Sequence, residues 1–377
     1  MLGIENFKIS FLSVKIEFMN KRKVLVGLSG GVDSSVSALL LKEEGYNVIG
    51  VFMKIFDEKN KECIGRKFAC YGPEEKDLED VEKICKLLNI PLYVIDLKKE
   101  YNKFVLDYYK REYLMGKTPN PCIICNRFLK FDILLKKVFK TGIDFDYFAT
   151  GHYAKVIYDS TRKRYILKRG IDPEKEQSYF LFLLTQEQLS KVIFPLGDYT
   201  KRQVREIARK NNFHISEKEE SQDFIAGDRF FLFKGKVEEG LIVDKNGNVL
   251  GKHKGIVYYT IGQRKGLGVA KGKPLYVIDI DGKENKIVVG EEKDLYKKHI
   301  IAENINLISI EKLEKEMEVE AKIRYRHEPS KAKIKKIDED KIEVTFLYPQ
   351  RAPTPGQAVV FYNKDEVVGG GFISYTF

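Results

Sequence analysis

Two consecutive glycines, Gly30 and Gly31, sit between an apolar run and an amphipathic one, and they restrict what this chain can become. Before them, Lys23-Val-Leu-Val-Gly-Leu28 reads as a buried strand. After them, Val36, Leu39 and Leu40 share one face of a helix that stops at Gly45. Glycines at such a junction let the backbone turn tightly and approach a ligand, so that successive N–H groups and the positive helix end converge on an anion. The alternation then continues. Asn47 to Met53 reads as a second strand, Leu78, Val81, Ile84, Cys85 and Leu88 line a helix, Pro91 to Leu97 is a third strand and Asp146 to Thr150 a further one. Strand–helix–strand repetition predicts an α/β fold, a parallel sheet with helices on both faces. Thr200 is expected to cap a later helix whose apolar side is Val204, Ile207 and Ala208.

Beyond about residue 222 the texture changes. Asp244-Lys-Asn-Gly-Asn248 and Asp281-Gly282 are hairpin signals between short β-rich runs, which predicts a small, mainly β central domain over residues 223–297. From 298 to 377 the alternation is clean: Val319, Ala321, Ile323 and Tyr325 point one way, Glu320, Lys322, Arg324 and Arg326 the other, as in a C-terminal β-barrel. The catalytic part is then 1–222, with 1–20 read as a leader or start-site extension and Met19 as an alternative start. A hydrophobic content of 43% excludes a disordered chain, and no apolar run approaches the ~20 residues of a membrane span. The five cysteines all fall between Cys63 and Cys125, and the N-terminus has no secretory signature, so a cytoplasmic protein with reduced thiols is expected. An excess of 66 basic over 55 acidic side chains favours a polyanionic partner, although scattered lysines also serve solubility.

The glycine pair belongs to Ser29-Gly30-Gly31-Val32-Asp33-Ser34-Ser35. No lysine follows it as in the loop of ordinary phosphoryl-transfer enzymes. Ser29, Ser34 and Ser35 suit phosphate oxygens, while Asp33 has the wrong charge for phosphate and suits Mg²⁺. The motif resembles the loop of the ATP pyrophosphatases (PP-loop, adenine-nucleotide alpha-hydrolase-like), which split ATP between its α and β phosphates and leave AMP on an oxygen. In that family adenine would lie near Met53, a residue that reads equally well as core packing.

Thr118-Pro-Asn-Pro-Cys-Ile-Ile-Cys-Asn126 places Cys122 and Cys125 three positions apart, in a segment that prolines hold out of regular structure until Phe128-Leu129 resumes a helical pattern. A thiol near a helix start is expected to have a lowered pKa. Such a pair fits redox exchange, half a zinc site or an iron–sulfur cluster. Cys85 reads as a small core residue, while Cys63 and Cys70 lie in a polar connection.

The glycine loop, Thr118 to Pro121 with Cys125-Asn126, Ala149-Thr-Gly-His-Tyr-Ala154, Gln177-Ser-Tyr-Phe-Leu181, Tyr259-Thr-Ile-Gly-Gln-Arg-Lys-Gly-Leu-Gly268 and Pro355-Gly-Gln-Ala358 together resemble the signature set of the tRNA-specific 2-thiouridylases (MnmA type). The resemblance implies ATP-dependent 2-thiolation of a tRNA uridine, by analogy at the wobble position. ATP would bind at Gly27, Leu28, Ser29, Gly30, Gly31, Val32, Asp33, Ser34, Met53 and Gly151. The target base would lie against Asn120, Pro121 and Cys122, with His152, Lys175, Glu176, Gln177, Arg324, Tyr325 and Gln357 on the tRNA. Lys175 and Glu176 also read as a solvated charge run, and Tyr325 as a barrel-core residue. Arg264, Lys265, Lys331, Lys333, Lys335 and Lys336 are candidates for the phosphate backbone.

Two positions depart from the family pattern. Many members have aspartate at the place of Cys122, and a later cysteine that holds the persulfide. Here that later turn is Glu220-Ser-Gln-Asp-Phe-Ile-Ala-Gly227, without cysteine. Three repairs are open. Cys122 takes the second thiol role beside Cys125; or Cys70, Cys122 and Cys125 ligate a [4Fe-4S] cluster, Cys70 being preferred to Cys63 because it precedes the Tyr-Gly-Pro turn; or an external donor attacks directly. The expected partners are thus tRNA and a sulfur donor, whether relay protein, desulfurase or sulfide, with no membrane. Two other functions fit the same residues: adenylation of a small carboxylate or amide, and non-catalytic RNA binding.

Overall fold

The computed structural model describes residues 22–58, 69–220, 223–225, 229–269 and 272–377. The expected leader and Cys63 lie outside the described residues. The apolar runs form a five-stranded, all-parallel sheet in the order Leu92–Asp96, Asn47–Lys54, Lys23–Leu28, Tyr147–Ala149, Val192–Ile193. Lys23–Leu28 is central because its Val24, Leu25 and Val26 are wholly buried and can face helices on both sides. From this strand the chain builds outward first to one side and then to the other. The glycine loop therefore opens at the carboxyl end of the sheet where the strand order reverses, the place at which open α/β sheets bind ligands.

One face of the sheet packs on the helices Val32–Glu43, Glu75–Leu88 and Lys201–Lys210, through Val36, Leu41, Ile84 and Val204 among others. The other packs on the helical segments that carry Tyr101, Leu106, Leu129 and Leu134. Thr200 caps Lys201–Lys210 as expected: its hydroxyl accepts from Gln203 N while the Gln203 side chain accepts from Thr200 N. The Thr118–Asn126 segment differs from its expectation. Pro121 occupies the first position of the helix Pro121–Ile124, where its missing N–H costs nothing, and helical structure continues without a break as wide π-type turns over Cys125–Ile133.

The central domain is a four-stranded sheet, antiparallel except for the pairing of Gly240–Asp244 with Lys286–Gly290. The C-terminal strands close into a six-stranded barrel, because Tyr296–Leu307 pairs with both Lys341–Arg351 and Glu366–Thr376. The expected alternation holds from Val319 to Ile323, with Val319, Ala321 and Ile323 buried. It stops there, since the strand Met317–Lys322 has ended and Tyr325 leaves the barrel core to pack against Phe180, ring centroids 4.5 Å apart. The hairpin of Ala154–Asp159 and Arg164–Arg169 extends the barrel's sheet rather than the parallel one. Arg162 locks it there with a two-pronged contact to Glu366 at 2.8 and 2.9 Å.

Removing the Thr200 hydroxyl is expected to lower stability by about 1 kcal/mol. Thr200→Ala, followed by thermal denaturation, should show a lowered first transition, and an unchanged transition would exclude the cap as a stabilising contact.

Candidate active site

Gly30 adopts φ +73°, and a Cβ there would stand 2.7 Å from the carbonyl oxygen of Asp77. Gly31 precedes the first turn of Val32–Glu43, and space above it is open but for Ser29 Oγ at 3.4 Å from a hypothetical Cβ. Ser29 N donates to Ser34 Oγ at 3.2 Å, and the hydroxyls of Ser34 and Ser35 donate to Gly31 O at 3.2 and 3.0 Å. These bonds hold the loop in shape. A Cβ on Gly27 would stand 3.2 Å from the Phe148 ring, a tight contact that the ring would have to yield to. Gly151 presses against the same turn: a Cβ on it would meet Asp33 C and Ser34 N at 2.8 Å. Leu28 and Val32 are buried beneath, and Met53 is half-buried against the larger core. The residues fit a polyphosphate: backbone N–H groups at a helix N-terminus, with glycines wherever a side chain would obstruct it.

Asp33 does not fit a metal ligand. Its carboxylate accepts from Lys201 Nζ at 2.8 and 2.9 Å and from Tyr153 Oη at 2.7 Å. Among the described residues no group of three His, Cys, Asp or Glu side chains gathers to hold a metal ion. Where a free carboxylate for Mg²⁺ was expected, Asp33 is instead paired with a lysine from the start of another helix. Lys201 also meets Glu220 at 2.6 Å, and Glu220 meets Lys175 at 2.7 Å. Burial alone would raise the Glu220 pKa, but its bonds to the two lysines outweigh it and hold the carboxyl below its usual value. On the loop's other side Lys218 Nζ donates to Gly30 O at 3.0 Å and pairs with Asp77 and Asp80. Lys201, Lys218 and Tyr153 are site residues the sequence did not single out. Thr200, the cap, is the one local signal that fixes where Lys201 begins its helix.

The thiols lie on the other face of the sheet. Cys125 is buried, Cys122 half-buried and Cys70 exposed, and all three are free. They are electrostatic neighbours of the fully buried Tyr101, which stacks on Tyr71 at 5.3 Å. Burial pushes Cys122 up to about 12 and Cys125 up to about 11, against a partial opposing pull from Lys130. The expected thiol acidity is thus reversed, because desolvation of the thiolate outweighs the helix start. Cys70, Cys122 and Cys125 do not converge on one metal position, so the donor set does not fit the cluster and no step is routed through it.

Three consecutive residues join the two half-sites. Gly151 touches the phosphate loop and Tyr153 holds Asp33, while His152 between them packs against Phe131 of the thiol-bearing helical segment, centroids 6.0 Å apart. His152 Nδ1 lies 2.7 Å from Thr150 Oγ1, and burial, with Lys130 adding to it, holds its pKa well below the usual value. It is a neutral imidazole.

The remaining sequence candidates surround this junction. Asn120 precedes the Pro121 helix, and Gln357 Nε2 donates to Thr118 O at 2.8 Å, so the barrel holds the proline loop directly. Arg324 donates to Ala352 O and Thr354 Oγ1 at 2.7 and 2.8 Å. Gln177 bonds the backbone of Tyr153 through both its own N–H and its side chain. The solvated reading of Lys175 and Glu176 fails: Glu176 is 7% exposed and accepts from Ser178 N, and Lys175 is tied to Glu220. Arg264, Lys265, Lys331, Lys333, Lys335 and Lys336 are exposed.

Residues 22–226 match a family model described as the tRNA methyl transferase HUP domain, 229–291 its PRC-barrel domain, and 297–373 the aminomethyltransferase beta-barrel domain. The tRNA-specific 2-thiouridylase MnmA of Acetivibrio thermocellus is 46% identical, covering 94% of this chain and 100% of the relative. Those named MnmA in Clostridioides difficile and MnmA 1 in Caldanaerobacter subterraneus subsp. tengcongensis are 48% and 49% identical, over 94% and 93% of this chain and 99% and 97% of theirs. This chain belongs to the MnmA family.

Within the MnmA family frame, the close approach of Gly151 to the loop makes a sharp test. Gly151→Ala is expected to weaken ATP binding about tenfold, about 1.4 kcal/mol, by calorimetric titration; unchanged affinity would remove Gly151 from the nucleotide site. The thiols yield a second. Both are protonated at pH 7 in this MnmA chain, so alkylation of Cys122, followed by peptide mass spectrometry, should quicken about tenfold per pH unit from 7 to 9. A rate flat over that range would contradict the raised pKa.

Proposed function

We propose that this enzyme replaces the C2 oxygen of a tRNA uridine, at the wobble position, with sulfur, using ATP as activating substrate. Relatives named tRNA-specific 2-thiouridylase match nearly the whole chain. The observation that supports the residue-level reading is the run Gly151-His152-Tyr153, which touches the glycine loop through Gly151 and Tyr153 and the thiol-bearing helical segment through His152. Methyl transfer, the word in the family-model descriptions, would use neither.

A carbonyl oxygen is a poor leaving group. In the proposed sequence O2 attacks the α-phosphorus, the bridge to the β-phosphate breaks, pyrophosphate departs and the N3 proton goes to solvent. Pyrophosphate leaves from the loop of Gly30, Gly31 and Ser34, where backbone N–H groups at the helix start supply partial positive charge and Lys201 offsets the Asp33 carboxylate. Cys122, the more accessible thiol, carries a persulfide delivered by the sulfur donor. Its terminal sulfur attacks C2, and AMP leaves with the former O2. Cys125 then attacks the Cys122 sulfur, a disulfide closes, and the thiolated base is released. An external dithiol reductant restores the pair. The Cys122 persulfide is the repair we favour, because Cys122 and Cys125 sit one helical turn apart whereas among the described residues no converging donor set for a cluster is found.

Asn120 and Pro121 form the wall for the base, which must leave its stack to enter. His152, Lys175, Glu176, Gln177, Arg324, Tyr325 and Gln357 support the tRNA side. Of these Gln177, Glu176, Arg324 and Gln357 act through the loops they hold. We place the reaction in the cytoplasm, where ATP, tRNA and reduced thiols coexist; among the described residues no helix is long and apolar enough to cross a membrane.

The test is mass spectrometry of tRNA nucleosides after incubation with ATP and a persulfide source, together with pyrophosphate release with and without tRNA. A sulfur-for-oxygen product and tRNA-dependent release are expected. Cys122→Ala and Cys125→Ala should abolish product and leave ATP affinity unchanged. Pyrophosphate release independent of tRNA would favour small-molecule adenylation instead, and full activity of either cysteine variant would overturn the persulfide pair.

A further inference from the structure

Among the described residues, three buried side-chain atoms have no hydrogen-bond partner: Glu74 Oε2, Arg169 Nη2 and Asn126 Oδ1. Only the last lies beside the thiols. Asn126 follows Cys125 in the chain and sits four residues after Cys122, so its side chain lies on the same helical face, about one turn below. The residue is 2% exposed. Its Nδ2 donates to Phe180 O at 3.1 Å, which fixes the amide's orientation and leaves Oδ1 as an acceptor with nothing to accept. Folded proteins rarely keep such an oxygen, because it loses its hydration without compensation. The helix itself does not require it, since an apolar side chain would fill the position at no such cost.

We propose that Asn126 Oδ1 is the acceptor that selects uracil through its N3–H. The inference rests on the thiolation reading above and deepens it. The reacting carbon is C2, and N3 is bonded to C2. N3 is one bond from the carbon that the Cys122 sulfur attacks, so its edge lies within reach of side chains neighbouring the thiol pair. Uracil carries a hydrogen-bond donor at N3. Cytosine has a lone pair there, which would face the lone pairs of Oδ1 and leave both unsatisfied. The oxygen is closed to solvent in the free protein, so the base reaches it by displacing what covers it, and the new hydrogen bond offsets the desolvation of N3–H.

The bond acts on selection rather than on the chemical step. N3 keeps its proton while O2 attacks and releases it only as the adenylate forms, so the bond is made equally in the bound base and in the first transition state. Asn126 is therefore a specificity-determining residue whose effect falls on KM and Kd and spares kcat, a split that a general loss of packing would not produce.

The experiment uses the full-length enzyme and anticodon stem-loop RNAs whose target nucleotide is either uridine or 3-deazauridine, in which C–H replaces N3–H and a hydroxyl replaces the C4 carbonyl. Wild type should bind the uridine RNA about tenfold more tightly. Asn126→Ala should bind the two RNAs equally, with the uridine RNA's KM raised about tenfold and kcat within about twofold of wild type. Equal binding of the two RNAs by wild type overturns the proposal without recourse to any variant, so the result stands even if N126A does not fold. Retention of the tenfold preference by folded N126A overturns it as well. If wild type discriminates between the RNAs yet forms no thiolated product from the uridine RNA, the activity fails while the N3–H contact survives. The two failures are thus distinguishable.

Discussion

The carboxylate of Asp33 ties together segments that lie far apart in the chain. It sits in the first turn of the helix behind the glycine loop and accepts from Tyr153, 120 residues on, and from Lys201, 168 residues on. An acidic group at that position suits the positive helix end, yet by itself it would repel a polyphosphate arriving at the same place. Lys201 removes the conflict. Its side chain is 12% exposed and is shared with Glu220, which a second lysine, Lys175, also holds. The loop that lacks a lysine in sequence thus acquires one in space. Because Tyr153 belongs to the stretch that carries Gly151 and His152, the same carboxylate also sets how closely the thiol-bearing side approaches the nucleotide side.

The thiols are built for restraint rather than for constant readiness. Burial holds both of the pair in the protonated state, so they are poor nucleophiles toward adventitious electrophiles and oxidants. A persulfide differs from a thiol in that its terminal sulfur is farther from the helix and more acidic. In the proposed sequence, loading Cys122 would therefore move the reactive atom out of the environment that silences it. Lys130, which opposes burial at both thiols, also helps lower the His152 pKa. One lysine thus acts on both the sulfur side and the bridge to the phosphate side.

Much of this was legible in the residues, and what was not has a common cause. Strands such as Lys23–Leu28 and the Thr200 cap are local: period and cap chemistry lie within a few positions of each other. The paired glycines likewise announce an anion site without help from the rest of the chain. Lys201 and Tyr153 do not, since nothing near them in sequence points at Asp33. The same holds for the hairpin Ala154–Arg169, whose alternation reads as an ordinary pair of strands until Glu366, 204 residues away, receives Arg162. Thiol acidity was misjudged for a related reason: proximity to a helix start is visible in sequence, but the depth of Cys122 and Cys125 depends on Tyr101 and on packing from other segments. Tyr325 follows the barrel's alternation by residue type but not by position, because the strand ends at Lys322 and the aromatic partner is Phe180.

The barrel's part in the chemistry follows from where its contacts land. Thr118 N donates to Pro355 O at 2.8 Å while Gln357 donates back to Thr118 O, so the loop leading into Cys122 is clasped by the turn at Pro355 to Gln357. A Cβ on Gly356 would collide with that loop, 3.0 Å from Lys117 and 3.1 Å from Thr118. Arg324 braces the preceding Ala352–Thr354 segment from inside the same domain. Tyr179 Oη, from the motif that supports Asn126 through Phe180, bonds Ala358 O at 2.9 Å. The helical segment bearing both cysteines is thus held at its entrance by one end of the barrel turn and along its side by the other. The barrel face around Arg324 and Gln357 is joined to the thiol loop through hydrogen bonds to the backbone of Thr118. An RNA bound at that face, as proposed above, would therefore bear on the loop that leads into Cys122.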